Sequence, residues 1–419
     1  MSAAAIIRFF IFIGILLLLD FYIFYGVRSA FASSRIRTPA SWIYWGITIS
    51  FLLFATYVAF TFSRDAGPAA PSVKFILGAF FLLYIPKIVM LFFFGAEDMY
   101  RLLRAGGLGI SRITGLQAFT DVPYFESRRQ FFGRLAGLVA LVPAAGIIYG
   151  ITKGKYNFKV HRINLSFKDL PEAFHGTTIT QISDLHVGSF DNRAEVQHAV
   201  NLVAEQNSDL VFFTGDLVNN KAKEMEPWLE LFIPLKAPMG KYSILGNHDY
   251  GDYSDWPSAH AKRENMQQLY HMHERLGFKL LRNENLRIEK SGQYLELLGM
   301  ENWGRGFAQY GDYKKTLLGT QEDSFKILLS HDPSHWEEQV MNHPTQVHLT
   351  LAGHTHGAQF GVEIPGFRFS PVQFRYSRWA GLYAENNRYL YVNRGLGFIG
   401  FPGRVGIWPE ITVITLQKV

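Results

Sequence analysis

Five short polar motifs stand between residues 184 and 356, each directly behind an apolar run: Asp184-Leu185-His186, Gly215-Asp216, Gly246-Asn247-His248-Asp249, Ser330-His331-Asp332-Pro333 and Gly353-His354-Thr355-His356. Their side chains are carboxylates, a carboxamide and imidazoles, the hard and borderline donors that suit Mn, Fe, Zn, Ni or Co. A set this large can hold two ions rather than one. Thiolate is absent because the chain has no cysteine, which also excludes disulfides, iron–sulfur clusters and cysteine nucleophiles. In extended chain residues i and i+2 point the same way, so Asp184 with His186, and His354 with His356, can each approach one site from a strand end. Glycine at 215, 246 and 353 allows tight backbone turns there. Singly, Gly-Asp is a turn and Ser-His-Asp-Pro a helix cap. In this order, each behind an apolar run, the motifs point to a metal centre.

Strands must carry these motifs. Thr177–Ile182, Leu210–Thr214, Lys241–Leu245, Leu295–Met300, Phe325–Leu329 and Val347–Leu351 read as buried strands. Between them Arg193–Glu205 and Ala261–Leu276 have helical spacing, the first with Val196, Ala199, Val200 and Val203 on one face. The expectation is an α/β domain over residues 156–419, long enough for one two-layer core.

The motif order resembles that of the calcineurin-like metallophosphoesterase superfamily (D-x-H, G-D, G-N-H-[DE], a later His, G-H-x-H), over roughly Thr177 to His356. The resemblance implies a two-sheet sandwich flanked by helices and a dinuclear site at the strand ends. By motif, one divalent ion (Mn, Fe or Zn) takes Asp184, His186, Asp216 and His356. The other takes Asp216, Asn247, His331 and His354, with Asp216 bridging. Such a pair, about 3.5–4 Å apart, generates hydroxide near neutral pH for in-line attack on a phosphoryl group. His248 would supply a proton to the leaving oxygen, and Asp249, in the family's pattern, would orient that imidazole. Together with the closing Tyr391-Val-Asn-Arg-Gly-Leu-Gly and Pro409-Glu-Ile, the plan looks like the membrane-anchored branch named for a transmembrane protein with metallophosphoesterase domain.

That branch fits residues 1–152. Phe9–Val27, Ser41–Phe62, Val73–Gly95 and Leu135–Ile151 are apolar runs near the ~20 residues needed to span a bilayer, giving four expected transmembrane helices. Asp20 and Lys87 interrupt them, and charges in lipid are costly enough to mark either helix pairing or function. Pro86 suggests a kink. The loops after spans one and three carry Arg28, Arg35, Arg37, Arg101, Arg104, Arg112, Arg128, Arg129 and Arg134. The other side shows Arg8, Arg64 and Lys74, with Asp65 as a partial offset, and Lys153 and Lys155 after the fourth span pull weakly the other way. Basic loops stay in the cytoplasm, which places the domain after Ile151 outside it, at the cell (inner) membrane. Ser127-Arg128-Arg129-Gln130-Phe131-Phe132 resembles a twin-arginine export signal and agrees.

The net charge of +6 does not imply nucleic acid. Up to Lys155 there are 15 Lys and Arg against 6 Asp and Glu; after it there are 26 against 29, with all 14 histidines. The basic excess therefore lies among apolar runs. The expected partners are the lipid bilayer and a phosphoester, with a lipid-linked diester or pyrophosphate as candidate. Arg368, Arg375, Arg378, Arg394 and Arg404 interleave with Phe367, Phe369, Phe374, Tyr376, Trp379, Phe398, Phe401 and Trp408, either as phosphate forks among acyl-binding aromatics or as ordinary packing. The family resemblance adds UDP-2,3-diacylglucosamine hydrolysis, which needs a cytoplasmic domain and so excludes the topology above. A phosphomonoesterase, a transporter or sensor with an accessory metal domain, and a non-catalytic metal module are the alternatives.

Overall fold

The structure, a computed structural model, describes residues 3–30, 37–61, 70–114 and 127–419. Four long helices come first: α1 (Ala3–Ala30), α2 (Arg37–Thr61), α3 (Pro71–Thr114) and α4 (Ser127–Thr152). Each holds a segment long and apolar enough to cross a membrane. Helix α3 continues through Pro86 and through the stretch with Arg101, Arg104 and Arg112 that the sequence places in a loop. Met, Leu, Arg and Glu between Glu97 and Arg104 are strong helix formers, and no proline stops them. Similarly, Arg128, Arg129 and Arg134 lie in the first turns of α4 rather than in a loop. Arg35, Arg64 and Asp65 lie outside the described residues.

The two charges within the spans meet. Asp20, fully buried, pairs with Lys87 Nζ at 2.5 Å. Its carboxylate also accepts from Tyr44 (2.8 Å), Tyr84 (3.0 Å) and Thr48 (3.3 Å). A carboxylate in hydrocarbon survives only when paired and hydrogen-bonded, and here two other helices, α2 and α3, supply its partners.

The chain divides into two compact units, the second comprising Tyr149–Val419 together with the stretch that ends at Lys74. Its first sheet is built from β1 (Lys159–Phe167), β2 (Thr178–Ile182), β3 (Leu210–Phe213), β4 (Lys241–Ser243) and β5 (Lys279–Leu280). The second uses β6 (Glu284–Lys290), β7 (Gln293–Gly299), β8 (Lys326–Leu329) and β9 (Leu349–Ala352). A separate hairpin, β10 (Val362–Ile364) and β11 (Phe367–Phe369), follows, then β12 (Gly381–Glu385) and β13 (Arg388–Val392) of the second sheet, and β14 (Glu410–Lys418), which returns to the first. The orders are β1-β14-β2-β3-β4-β5 and β12-β13-β9-β8-β7-β6. β2, β3, β4 and β5 pair in parallel, as do β7, β8, β9 and β13, while β14, β6 and β12 join antiparallel to β2, β7 and β13.

Strand periodicity sorts the core. Phe212, Ile179, Ile244, Leu297, Ile327 and Leu351 face the space between the sheets. Val211 and Phe213 turn outward onto α5 (Arg193–Ala204), through Val196, Ala199, Val200 and Val203, and onto Leu269 and Met272 of the helix Ala259–Arg275. Leu298, Leu328 and Val392 pack on Trp336 over the second sheet's outer face. This is the two-sheet sandwich with flanking helices that the motif order implied. Because the parallel strands run side by side, the loops after β2, β3, β8 and β9 emerge at one end, where every polar motif sits.

Candidate metal centre

At that end the backbone is held in unusual geometry. Asp184, His186, Asp216, His354 and His356 all have positive φ (51°, 44°, 59°, 71° and 49°). Left-handed backbone at non-glycine residues costs about 1–3 kcal/mol each and persists where surrounding structure enforces it. The glycines enforce it in two ways. Gly215, at φ 96°, makes a turn. Gly246 and Gly353 instead permit close approach: a Cβ would lie 2.2 Å from Asp216 Oδ1 at the former, and 2.1 Å from Ser183 Oγ and 2.2 Å from Asp184 Oδ2 at the latter. Gly397, whose added Cβ would sit 1.9 Å from the Leu185 carbonyl, seats the C-terminal Asn-Arg-Gly-Leu-Gly segment against the same loop.

The donors fall into two groups, Asp184 with His186 and His356, and Asp216 with His331 and His354. Asp216 links them, since its Oδ2 lies 3.4 Å from His186 Nε2 and 3.2 Å from His331 Nε2. Hydrogen bonds fix which ring atoms face inward. His331 Nδ1 lies 2.7 Å from the Thr214 carbonyl, which can only accept, so Nδ1 carries the proton and Nε2 is bare. Tyr376 donates to Asp332 Oδ2 at 3.1 Å and so accepts from His354 Nε2 at 2.9 Å, leaving His354 Nδ1 bare. Asn247 Nδ2 donates to Tyr253 at 2.9 Å, which turns its Oδ1 inward.

Once His331 is neutral, four lone-pair atoms converge, Asp216 Oδ2 being 3.2 Å from His331 Nε2. Asn247 Oδ1 is 2.8 Å from His354 Nδ1 and 3.2 Å from His331 Nε2, and these two nitrogens are 3.3 Å apart. Such a gathering is repulsive without a cation at its centre. Burial opposes charge on His331, yet the carboxylates of Asp216 and then Asp184 overcome it and lift its pKa to about 10, so the protein alone places a proton where positive charge is needed. In the other group both nitrogens of His186 and Nε2 of His356 are buried without a hydrogen-bond partner. The residues present fit two divalent ions.

His248 lies beside the first group, its ring 4.9 Å from that of His186. Its Nδ1 faces the Asn219 carbonyl at 2.9 Å, so the exchangeable position is Nε2. Burial lowers its pKa to about 4, against the pull of Asp216. Asp249 departs from the family-derived expectation. It does not orient the imidazole; its oxygens accept from the backbone amides of Leu217 (2.8 Å) and Val218 (3.3 Å), and of Asp216 (2.8 Å) and Gly246 (2.9 Å). A buried carboxylate surrounded by amides is satisfied locally, and the Asn219 carbonyl orients the ring instead.

Of the five arginines flagged in the sequence, four are committed elsewhere. Arg394 pairs with Glu410 and Glu363, and Arg378 with Glu337 and Glu385. Arg368 caps the Ala380 carbonyl. Buried Arg404 reaches His356 Nδ1 at 3.0 Å and the Gly395 carbonyl at 3.1 Å, tying the metal loop to the C-terminal segment. Arg375 alone is exposed near the site, over Phe307, which packs edge-on against His354. Tyr376, Asn219 and Tyr253, which hold or orient site groups, belong to no motif, and only their tertiary placement reveals them.

Residues 177–358 match the family described as calcineurin-like phosphoesterase, and residues 6–155 that described as probable calcineurin-like phosphoesterase, transmembrane domain. Over 299 residues the chain is 30% identical to the uncharacterized metallophosphoesterase YkuE of Bacillus subtilis, covering 70% of this chain and 98% of that one. The chain belongs to the calcineurin-like phosphoesterases. This phosphoesterase also resembles, at 27% identity over 98% of its own length and 90% of the relative's, the transmembrane protein with metallophosphoesterase domain of Danio rerio. A third relative, 28% identical over 57% of the phosphoesterase and 83% of its own chain, is the UDP-2,3-diacylglucosamine pyrophosphatase LpxG of Chlamydia trachomatis. The protein is thus an integral-membrane, metal-dependent hydrolase of phosphoester bonds.

Proposed function

We propose that this phosphoesterase cleaves phosphodiester or pyrophosphate bonds of amphiphilic substrates at the outer face of the cytoplasmic membrane, with two divalent ions. Asp184, His186, Asp216 and His356 hold one, and Asp216, Asn247, His331 and His354 the other. The observation that carries the reading is the convergence of bare donor atoms on two adjacent points that share Asp216 Oδ2. Mn, Fe and Zn each suit the donors. Bound there, the ions would supply an attacking water acidic enough to act near neutral pH and charge for the non-bridging phosphoryl oxygens.

The chain's own residues do the rest. With Nδ1–H committed to Asn219, His248 takes up and releases its proton at Nε2. An arriving phosphoryl anion raises the affinity of that nitrogen for a proton, which then passes to the departing alkoxide or phosphate. Beyond the ligands, Arg375 is an exposed guanidinium beside the site, with a long 3.5 Å hydrogen bond to the Arg305 carbonyl, whereas Arg378 and Arg394 are paired with carboxylates. A diester carries one negative charge on the scissile phosphoryl group and a monoester nearly two, so this lean positive lining favours the diester or pyrophosphate. Phe307, edge-on against His354, offers apolar surface next to the site. The distribution of basic residues across the span ends, nine against five when Lys153 and Lys155 are counted, supports the outward placement. Under that placement a cytoplasmic UDP-linked lipid is not the substrate. Nor does the Asp20–Lys87 pair support a transport path, since it is closed on itself.

The test is turnover of bis-p-nitrophenyl phosphate against p-nitrophenyl phosphate by the Mn-loaded full chain, with His248→Ala as control. Diester preference is expected. Monoester preference makes the enzyme a phosphatase, and protease protection of the domain in right-side-out vesicles overturns the orientation.

A further inference from the structure

The hairpin β10–β11 is inside out for a water-soluble surface. Its register pairs Val362 with Phe369, Glu363 with Arg368 and Ile364 with Phe367. Residues opposite each other, and those two apart, share a face. One face is therefore Val362, Phe369, Ile364 and Phe367, and the other Glu363 and Arg368. The polar face is the one fastened to the protein: Glu363 pairs with Arg394 at 2.5 Å, and Arg368 donates to the Ala380 carbonyl at 2.5 Å while stacking 5.0 Å from Trp379. That leaves the four apolar side chains outward, with 46%, 37%, 58% and 56% of their surface exposed. Phe374, whose ring is 6.4 Å from Phe369, extends the patch at 83% exposure. A turn at Pro365-Gly366, with Gly366 at φ 79°, closes the hairpin without adding a charge at its tip.

We propose that this apolar face dips into the interfacial layer of the bilayer that holds the protein's own helices. Three observations select a bilayer over a soluble partner. The chain's four apolar helices keep the domain tethered to a membrane. The hairpin root is knitted to residues at the end of the last span: Gly361 donates to Val405 (2.9 Å), and Arg404 beside it donates to Gly150 (3.1 Å), a residue of the final turns of Gln130–Thr152. Tyr149 and Trp408, aromatics of the kind that favour the headgroup layer, meet at that same place, 5.8 Å apart. An apolar patch continued by Phe374, with exposed Arg375 next to it in the chain, matches an interface of acyl chains beneath anionic headgroups. The inference concerns where the domain touches lipid and stands apart from which bond is cleaved.

The absence of cysteine makes the test clean. Phe367→Cys and, separately, Ile364→Cys are labelled with an environment-sensitive fluorophore in the full chain reconstituted into phosphatidylcholine–phosphatidylglycerol vesicles. Leu318→Cys, 77% exposed, is the reference; its carbonyl bonds Asn285 on β6, the sheet edge opposite β12. Expected are blue-shifted emission at both hairpin sites and quenching by lipid-borne doxyl groups at least roughly three times that at the reference. Quenching by aqueous iodide without doxyl quenching overturns the proposal. Shielding from both quenchers, with cross-linking between labelled copies, overturns it in favour of a second copy on this face.

Discussion

Replacing Asp249 by Asn separates two roles for that carboxylate. Each of its oxygens accepts from two backbone amides, Oδ1 from Leu217 and Val218 and Oδ2 from Asp216 and Gly246. An amide group must present –NH₂ to one of these pairs, so two hydrogen bonds are lost and two donors confront a third. Hydrogen bonds to a charged acceptor contribute about 1.5–3 kcal/mol each, which sets an upper figure of about 3–6 kcal/mol. Burial and the neighbouring Asp216 raise the Asp249 pKa to about 7, so the carboxylate is partly neutralised near that pH and about 3 kcal/mol is the working value. For a unit of this size that is roughly 6–12 °C in melting temperature. The amides concerned are those of Asp216 itself and of the glycine preceding Asn247 and His248. Metal content, read by inductively coupled plasma mass spectrometry, should therefore fall together with melting temperature and kcat. An Asp249→Asn protein with wild-type melting and full metal content, yet much reduced kcat, would refute the structural role and restore the carboxylate as orienter of His248.

Three further outcomes follow from the same geometry. His248→Ala should keep its metal content while kcat drops by roughly 10² or more; unchanged turnover at full loading removes His248 from proton transfer. Gly353→Ala drives a methyl into Ser183 Oγ and Asp184 Oδ2, and should lower occupancy of the Asp184–His186–His356 group more than that of its neighbour, as read by metal stoichiometry in the full chain. Burial holds both His273 and His335 at pKa about 3, below the ordinary 6.5. The unfolded chain binds these protons first as pH falls, so stability present above pH 6.5 is lost progressively toward pH 3. By about pH 5 each histidine has removed about 2 kcal/mol. Urea titrations over that range should show the slope, and His273→Gln should lower it by one histidine's share, about 1.4 kcal/mol per pH unit.

Sequence reading anticipates which residues the fold gathers better than it describes their surroundings. The six buried strands it expected overlap β2, β3, β4, β7, β8 and β9 within a few residues, because central parallel strands are continuous apolar runs. It missed the other eight strands. β1, β6 and β12 show alternating or slight burial along segments such as Lys-Val-His-Arg-Ile and Gly-Leu-Tyr-Ala-Glu, as edge or antiparallel strands with one wet face do. β5, β10 and β11 are two or three residues long, and β13 and β14, though buried, lie in the Gly- and Arg-rich C-terminal region. All nine expected site residues converge at one end, since each motif reports its own strand end. Asp249 turns onto the amides of Asp216, Leu217, Val218 and Gly246, because adjacency to His248 in sequence says nothing of where a carboxylate turns in a tight loop. Arg394 and Arg404 resembled phosphate forks in sequence; only the fold shows Glu410 and the Gly395 and Gly397 carbonyls already holding them.

The Asp20–Lys87 clasp bears on how the protein is made. Its two charges are separated by 67 residues of chain. Helix α1 thus reaches the translocon with a carboxylate whose cation, on α3, has yet to be synthesised. An acidic residue at mid-span costs about 2.5–3.5 kcal/mol on insertion scales, a penalty that α1 meets with its own apolar length until α3 arrives. The first three helices are consequently one unit of biogenesis, joined by a bond that none of them can form in isolation. Truncation after α1 or α2 strands an unpaired acid in lipid, so a shortened tether for this enzyme has to be built from α4 alone.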